Sequence, residues 1–256
     1  MADAIQVRHG VEVASKSDVG CQRTDNEDQY SYWEPAGDED FRIKGRFAIV
    51  ADGMGGHEGG QVASRIAVET IEEIYMRPGH SDPKSSLVQG FNIAHERIQQ
   101  YASANPQYHG MGTTATAIVV LDRQLFYAHV GDSRLYLVRD GSISRVTHDH
   151  SYVGRLVETG VITEEEAESH PRRHILTAAL GAGNELLPES AEGPTVLKTG
   201  DILILCTDGL WGQVNDPEIL EAVSGRTPSE ACAKLIALAR DRGGPDNITV
   251  QVLRLT

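Results

Sequence analysis

At 256 residues, 40% hydrophobic and 23% charged, the chain has the composition of a soluble globular protein with a substantial core, in one large domain or two small ones. Its formal charge of −14, from 37 acidic residues against 23 Lys and Arg, excludes a nucleic-acid partner, because no basic cluster is present to meet a phosphate backbone. No run approaches the roughly 20 apolar residues of a membrane span, and MADAIQVRHGVEV at the start holds no signal-peptide core, so a cytoplasmic chain that meets no membrane is expected.

Short β-like runs come first: VEVAS, QYSYW and RFAIVAD. Val62, Ile66, Ile71 and Ile74 then keep roughly helical spacing, and this helix ends before Pro78. Leu87, Phe91, Ile98 and Tyr101 mark a second helix, with Asp82 as N-cap and Pro83 in its first turn. TTATAIVVL and QLFYAHV read as strands, and RLYLV joins SISRVT across Asp140-Gly141 as a hairpin. From His148 to Arg173 the chain turns polar and helical, with a capping box in TEEE at 163–166. HILTAAL, PTVLK and DILILC read as strands again. Two helices follow, with Pro217 and Pro228 in their opening turns and Gly225 and Gly243 after their ends, and NITVQVLRL is a last strand. Hairpins favour antiparallel pairing and paired amphipathic helices need sheet faces to cover, so one α+β domain over residues 1–256 is expected. Cys21, Cys206 and Cys232 show no CxxC or Cys-His spacing and read as buried structural thiols of a reducing compartment.

Acidic residues repeatedly end the strands. Asp52 and Asp208 each close an apolar run with Asp-Gly, Asp132 breaks FYAHVGDSRLYL, Asp246 precedes NITVQV, and Glu27 and Asp28 stand before QYSYW. Aspartate is a common turn residue, and any one of these has that explanation. If the strand ends meet at one edge, four or more carboxylates share a site and repel one another. Divalent cations relieve this, and with no His or Cys cluster alongside, oxygen-only ligation points to Mg²⁺ or Mn²⁺ and away from Zn²⁺. Gly53 after Asp52 allows close backbone approach, and its carbonyl is a candidate ligand.

RTDNED, VADGMGGHEGG, GTT, VGDSRLYLVRDG, THDHS, HPRRHILTAALG, DILILCTDGLWG and DNITV occur in that order between about Val11 and Leu253. In this the sequence resembles the metal-dependent protein phosphatases of type 2C, most closely the bacterial serine/threonine branch. The resemblance implies a central antiparallel β-sandwich flanked by helix pairs, four layers αββα, with the metal site at one end. By position it makes Asp52 the carboxylate bridging two tight metals, gives the Gly53 carbonyl to one of them, and makes Asp208 and Asp246 ligands of the other. Glu27 and Asp28 hold metal-bound waters or complete the shell. Asp132 and Asp208 match the pair that binds a third, weaker metal in bacterial members, and Arg23 matches the arginine that holds the substrate phosphate.

The implied activity is hydrolysis of phosphoserine and phosphothreonine in proteins by a metal-activated water, with Asp52, Asp208 and Asp246 as the catalytic carboxylates. A Ser/Thr kinase and its targets are the implied partners of a monomeric enzyme, and 148–173 corresponds to a variable flap beside the catalytic mouth. The histidine that follows the first Asp-Gly in eukaryotic members is Met54 here. His57 then reads either as an acid or water-orienting group or as a structural loop residue. His148, His150, His170 and His174 read as polar surface residues in preference to metal ligands. Two other classes remain in view: a phosphoprotein-binding pseudophosphatase, and a nucleotide-binding enzyme built on GMGGHEGG. The latter lacks both Walker-type and GxGxxG spacing, and GxSxG and HExxH are absent as well.

Overall fold

The computed structural model describes residues 8–55, 58–79, 82–183 and 186–256. The chain opens with β1 (Val11–Asp18) and β2 (Asp28–Trp33), a short α1 (Asp38–Lys44), then β3 (Arg46–Met54). Two long helices, α2 (Gly59–Met76) and α3 (Pro83–Ala104), precede β4 (Gly112–Thr113), β5 (Ala115–Leu121), β6 (Gln124–Val130), β7 (Arg134–Arg139) and β8 (Ser142–Arg145). After α4 (Tyr152–Glu158) and α5 (Glu164–Glu168) come β9 (Thr195–Val196), β10 (Ile202–Cys206), α6 (Asp208–Trp211), α7 (Asp216–Val223), α8 (Pro228–Asp241) and β11 (Ile248–Leu255).

The helix boundaries follow from their caps. The Asp82 carboxylate accepts from Ser85 N at 2.9 Å, and Thr163, Asn215 and Thr227 each form a reciprocal capping box with a glutamate three residues on. Asp140 and Gly141 adopt φ of 52° and 76°, the left-handed pair that a two-residue hairpin requires.

Two sheets result, ordered β1-β11-β10-β7-β8 and β2-β3-β5-β6-β9, with β4 paired to β3. All these pairings are antiparallel. Period-two alternation explains why the central runs are apolar throughout. On β3, Phe47, Ile49 and Ala51 pack with α2 and α3 residues such as Ile71 and Phe91. Ala48 and Val50, on the other face, pack with Leu203, Leu205 and Leu253 of the opposite sheet. On β10, Ile202, Ile204 and Cys206 meet Ile219 of α7 and Leu235 of α8.

The structure departs from the sequence reading at five points. HILTAAL makes only single bridges, Leu176 to Ser151 and Leu180 to Thr113, because the strand beside it, β4, is two residues long and offers no run for a ladder. PTVLK supplies a two-residue strand, and TTATAIVVL breaks at Thr114 into β4 and β5. The helices α1 and α6 went unanticipated, being too short to show a period. Cys21 is exposed in the turn after β1, whereas Cys206 and Cys232 are buried. Among the described residues, no helix is long and apolar enough to cross a membrane.

Candidate active site

The register of β2 against β3 places Asp28 directly opposite Asp52. Like charges at paired positions repel, and Asp28 is only 3% exposed. Asp52 has the parity of Ala48 and Val50, so it belongs to the face turned toward the other sheet. From that sheet, β10 runs out into Thr207 and Asp208, and Asp246 stands two residues before β11. Asp132 lies where the chain crosses from β6 in one sheet to β7 in the other, and it is 5% exposed.

Around the acids a set of neutral partners fixes the backbone. Thr207 Oγ1 donates to Asp28 Oδ2 at 2.9 Å, and Thr249 also bonds Asp28. Asp52 N donates to Thr114 Oγ1 at 3.0 Å, and Thr113 Oγ1 donates to the Asp52 carbonyl at 2.8 Å. The Asn247 side chain accepts from Glu27 N at 2.8 Å, which ties Glu27 to the loop carrying Asp246. Gly53 N donates to the Glu27 carbonyl, and a Cβ on Gly53 would stand 2.1 Å from the Gly60 carbonyl oxygen. Only glycine permits that approach. A Cβ on Gly60 would likewise meet Glu27 Oε2 at 2.6 Å.

Charge without compensation dominates the electrostatics. Burial pushes the Asp28 carboxyl up to about 7, the Thr249 and Thr207 hydroxyls pull it down, and Asp208 and Asp246 raise it further. Burial and then Asp28, Asp208, Asp132 and Asp246 raise Asp52 well above the carboxylate range. Asp132 is raised well above that range by burial and by Asp208. Asp208 is raised by burial and by Asp246, against a hydrogen bond with Asp52 and the nearby His174 and Arg23. Among the described residues, Asp28 Oδ1 and Asp208 Oδ1 are buried and meet no hydrogen-bond partner, a costly state unless a cation completes it. The donors are all oxygen, which fits Mn²⁺ or Mg²⁺.

Arg23 reaches this mouth with Nη2 2.8 Å from Asp246 Oδ2. Burial lowers its pKa, but the charge of Asp246, together with Glu27 and Asp52, outweighs burial and leaves it raised. Since Arg23 occupies a carboxylate that the sequence assigns to a metal, Arg23→Ala is expected to leave tight cation binding intact or stronger. The same variant should raise KM for phosphopeptides and blunt inhibition by inorganic phosphate. Calorimetric loss of the tight sites would instead make Arg23 part of the scaffold. His57 lies outside the described residues.

A second cluster brings His129, His150 and Glu189 together within ligand distance of one another. The polar atoms of His129 and Glu189 already have partners. His129 Nε2 faces the carbonyl oxygens of Gly131 and His148 at 3.0 and 3.1 Å, so the proton sits there, and Nδ1 lies 2.8 Å from Thr116 Oγ1. Burial, and then His150, push its pKa down to about 4, so the ring is neutral at pH 7. Glu189 accepts from Tyr127 Oη, His148 N and His148 Nδ1. The cluster is a hydrogen-bonded strut under the segment that starts at His148.

Sequence reasoning named the acids and missed their supports. Thr207 and Thr249 sit beside named motif residues, and Arg134 and Trp211 lie within quoted motifs. Only the pairing of strands reveals which acid each one serves.

The phosphatase PhpP of Streptococcus pneumoniae is 34% identical over 250 residues, 96% of this chain and 98% of that protein. The crystal structure of the Mycobacterium tuberculosis serine/threonine phosphatase PstP/Ppp matches with a TM-score of 0.85 at 37% identity, covering 96% of this chain and 99% of that one. A structure of the PstP catalytic domain in complex with two manganese ions matches with a TM-score of 0.83 at 35% identity, over 96% and 99% of the respective chains. Protein phosphatase 2C is matched by residues 24–234, within which all the clustered acids but Asp246 fall, and the chain belongs to that family.

Proposed function

We infer that the buried acids at the end of the sandwich hold divalent cations for the hydrolysis of phosphoserine and phosphothreonine in proteins. The chain is a metal-dependent protein-serine/threonine phosphatase. The observation that carries this is the pair of orphaned carboxylate oxygens, Asp28 Oδ1 and Asp208 Oδ1, in a site where Asp52, Asp132 and Asp208 all have raised pKa values. Every expected carboxylate is present, which sets aside the pseudophosphatase reading.

When bound, two Mn²⁺ or Mg²⁺ ions supply a nucleophilic water at neutral pH and neutralise charge on the phosphoryl group. Asp52, the Gly53 carbonyl, Asp208 and Asp246 would hold them. Asp28 and Glu27 would orient waters around them. Arg23 would exchange its Asp246 contact for substrate phosphate, where its planar fork gives a bidentate grip. Asp132 and Asp208 would share a third, weaker cation. The whole chain would act as one phosphatase domain, a cytoplasmic monomer with a flap at 148–173, on phosphoproteins that include a Ser/Thr kinase and its targets.

Hydrolysis of phosphothreonine peptides is expected to vanish after exhaustive chelation and return with added Mn²⁺ or Mg²⁺. Undiminished turnover in EDTA would overturn the reading.

A further inference from the structure

The turn that presents Asp208 also reaches Asp132. Strands β7 and β10 pair as far as Arg134 opposite Cys206, and each acid lies two residues beyond that last pair. No ladder sets the distance between them. Asp208 opens α6, and the turn closes on Trp211, whose indole Nε1–H donates to the Asp132 carbonyl oxygen at 2.9 Å.

The indole is itself held. The Arg134 guanidinium lies 3.6 Å from the centre of the Trp211 ring. It forks onto Asp149 at 3.0 and 2.7 Å and reaches Tyr136 Oη at 3.0 Å. On the far side of Asp132, Ser133 Oγ bonds Thr114 Oγ1 at 2.7 Å, and the Gly131 carbonyl accepts from His150 N at 2.7 Å. Asp132 therefore lies between two anchored neighbours and has its own carbonyl held by Trp211, and the charge of Asp208 raises its carboxyl.

We propose that Trp211 is a positioning residue for a cation shared by Asp132 and Asp208, its indole N–H fixing the main chain of one acid to the turn that carries the other. The inference rests on the third-cation reading above. Two like charges drift apart when no cation lies between them, and a site that must be reassembled on binding loses affinity. The Trp211 bond prevents that drift, and Arg134 stacking keeps the N–H aimed. Trp211→Phe removes the donor and keeps a smaller aromatic ring beneath Arg134.

Mn²⁺ titration of metal-stripped protein, followed by calorimetry or by the resonance of free Mn²⁺, tests this. Wild type is expected to show two tight ions and one weak one. Trp211→Phe should keep the tight pair and a near wild-type melting temperature while the weak site loses about 3- to 10-fold in affinity, the worth of one hydrogen bond. An unchanged weak site, with or without a lowered melting temperature, gives Trp211 a purely structural role and overturns the proposal. A wild-type protein that takes up only two ions overturns the third-cation reading and this inference with it. A second arm needs no Trp211 variant. The chain holds two tryptophans, Trp33 and Trp211, so Trp33→Phe isolates Trp211 fluorescence. Paramagnetic Mn²⁺ should quench that signal in a step at the weak-site concentration, and Asp132→Asn should remove the step. Absence of that step from the Trp33→Phe protein overturns the proposal.

Discussion

Asp52→Asn is expected to abolish phosphopeptide turnover and, in the same protein, to raise the melting temperature measured in EDTA. Both effects come from one cause. Asp52 stands opposite Asp28 across the β2–β3 ladder, is raised by burial and by four neighbouring acids, and shares a hydrogen bond with Asp208. As a cation ligand it supplies charge that an amide cannot replace, so kcat should fall by more than the ~100-fold typical of losing an outer-shell partner. Without cations, that same charge is a liability, and an amide of equal size removes it while keeping a hydrogen-bonding group beside Asp208.

For a chain of this length each kcal/mol shifts the melting temperature by roughly 2–4 °C, so an upward shift of at least about 3 °C is the expected reading. Asp208→Asn should behave alike, since Asp208 Oδ1 is an orphan in the folded chain. Loss of activity alone would not separate a ligand from a structural turn residue. Loss of activity with a gain in metal-free stability does. A variant that melts lower and keeps near wild-type kcat would place Asp52 in the scaffold.

How much of this was legible in the sequence depends on whether local chemistry or strand pairing decides it. β3 and β10 were legible because strands buried on both faces must be apolar throughout, and Phe47–Ala51 and Ile202–Cys206 are. The helix ends were legible because Asp82, Thr163, Pro217 and Pro228 satisfy or omit backbone donors locally. Pairing is different. That Asp28 faces Asp52, or that the Thr207 hydroxyl from the other sheet bonds Asp28, is a matter of register and sheet packing that no local pattern carries. The four residues of α6 show no period, so Asp208 reads as a strand end when it begins a helical turn. HILTAAL has strand-like composition, but composition does not supply a sheet edge. Arg23 was assigned to phosphate by resemblance, and its Asp246 partner emerged only from the fold.

Without divalent cations the protein is expected to lose stability as pH rises above about 6.5. In the fold Asp28 holds its proton up to about 7 against an ordinary 3.8, and Asp52, Asp132 and Asp208 are raised as well. Below the ordinary value both folded and unfolded chains are protonated and these groups contribute no slope. Above it the unfolded chain gives up protons that the folded chain keeps, so unfolding releases protons and rising pH favours it. For Asp28 alone the change between about pH 4 and 7 is on the order of 4 kcal/mol. Below about pH 6.5 other groups oppose this slope: His129, lowered to about 4, and His95 and His150, lowered as well, take up protons on unfolding, as do Glu73 and Glu218 near the acid end, so the net fall is read above that pH. Cations replace the retained protons, so Mn²⁺ should flatten the slope. At about 100 times the dissociation constant it adds ~2.7 kcal/mol, or roughly 5–10 °C at pH 8. Thermal melts at pH 5, 6, 7 and 8, each with EDTA and with Mn²⁺, measure both effects. A melting temperature that is flat or rises between pH 7 and 8 in EDTA, above the range in which the histidines titrate, would mean that the acids are not crowded, and the argument from orphaned carboxylates to bound metal would fail with it.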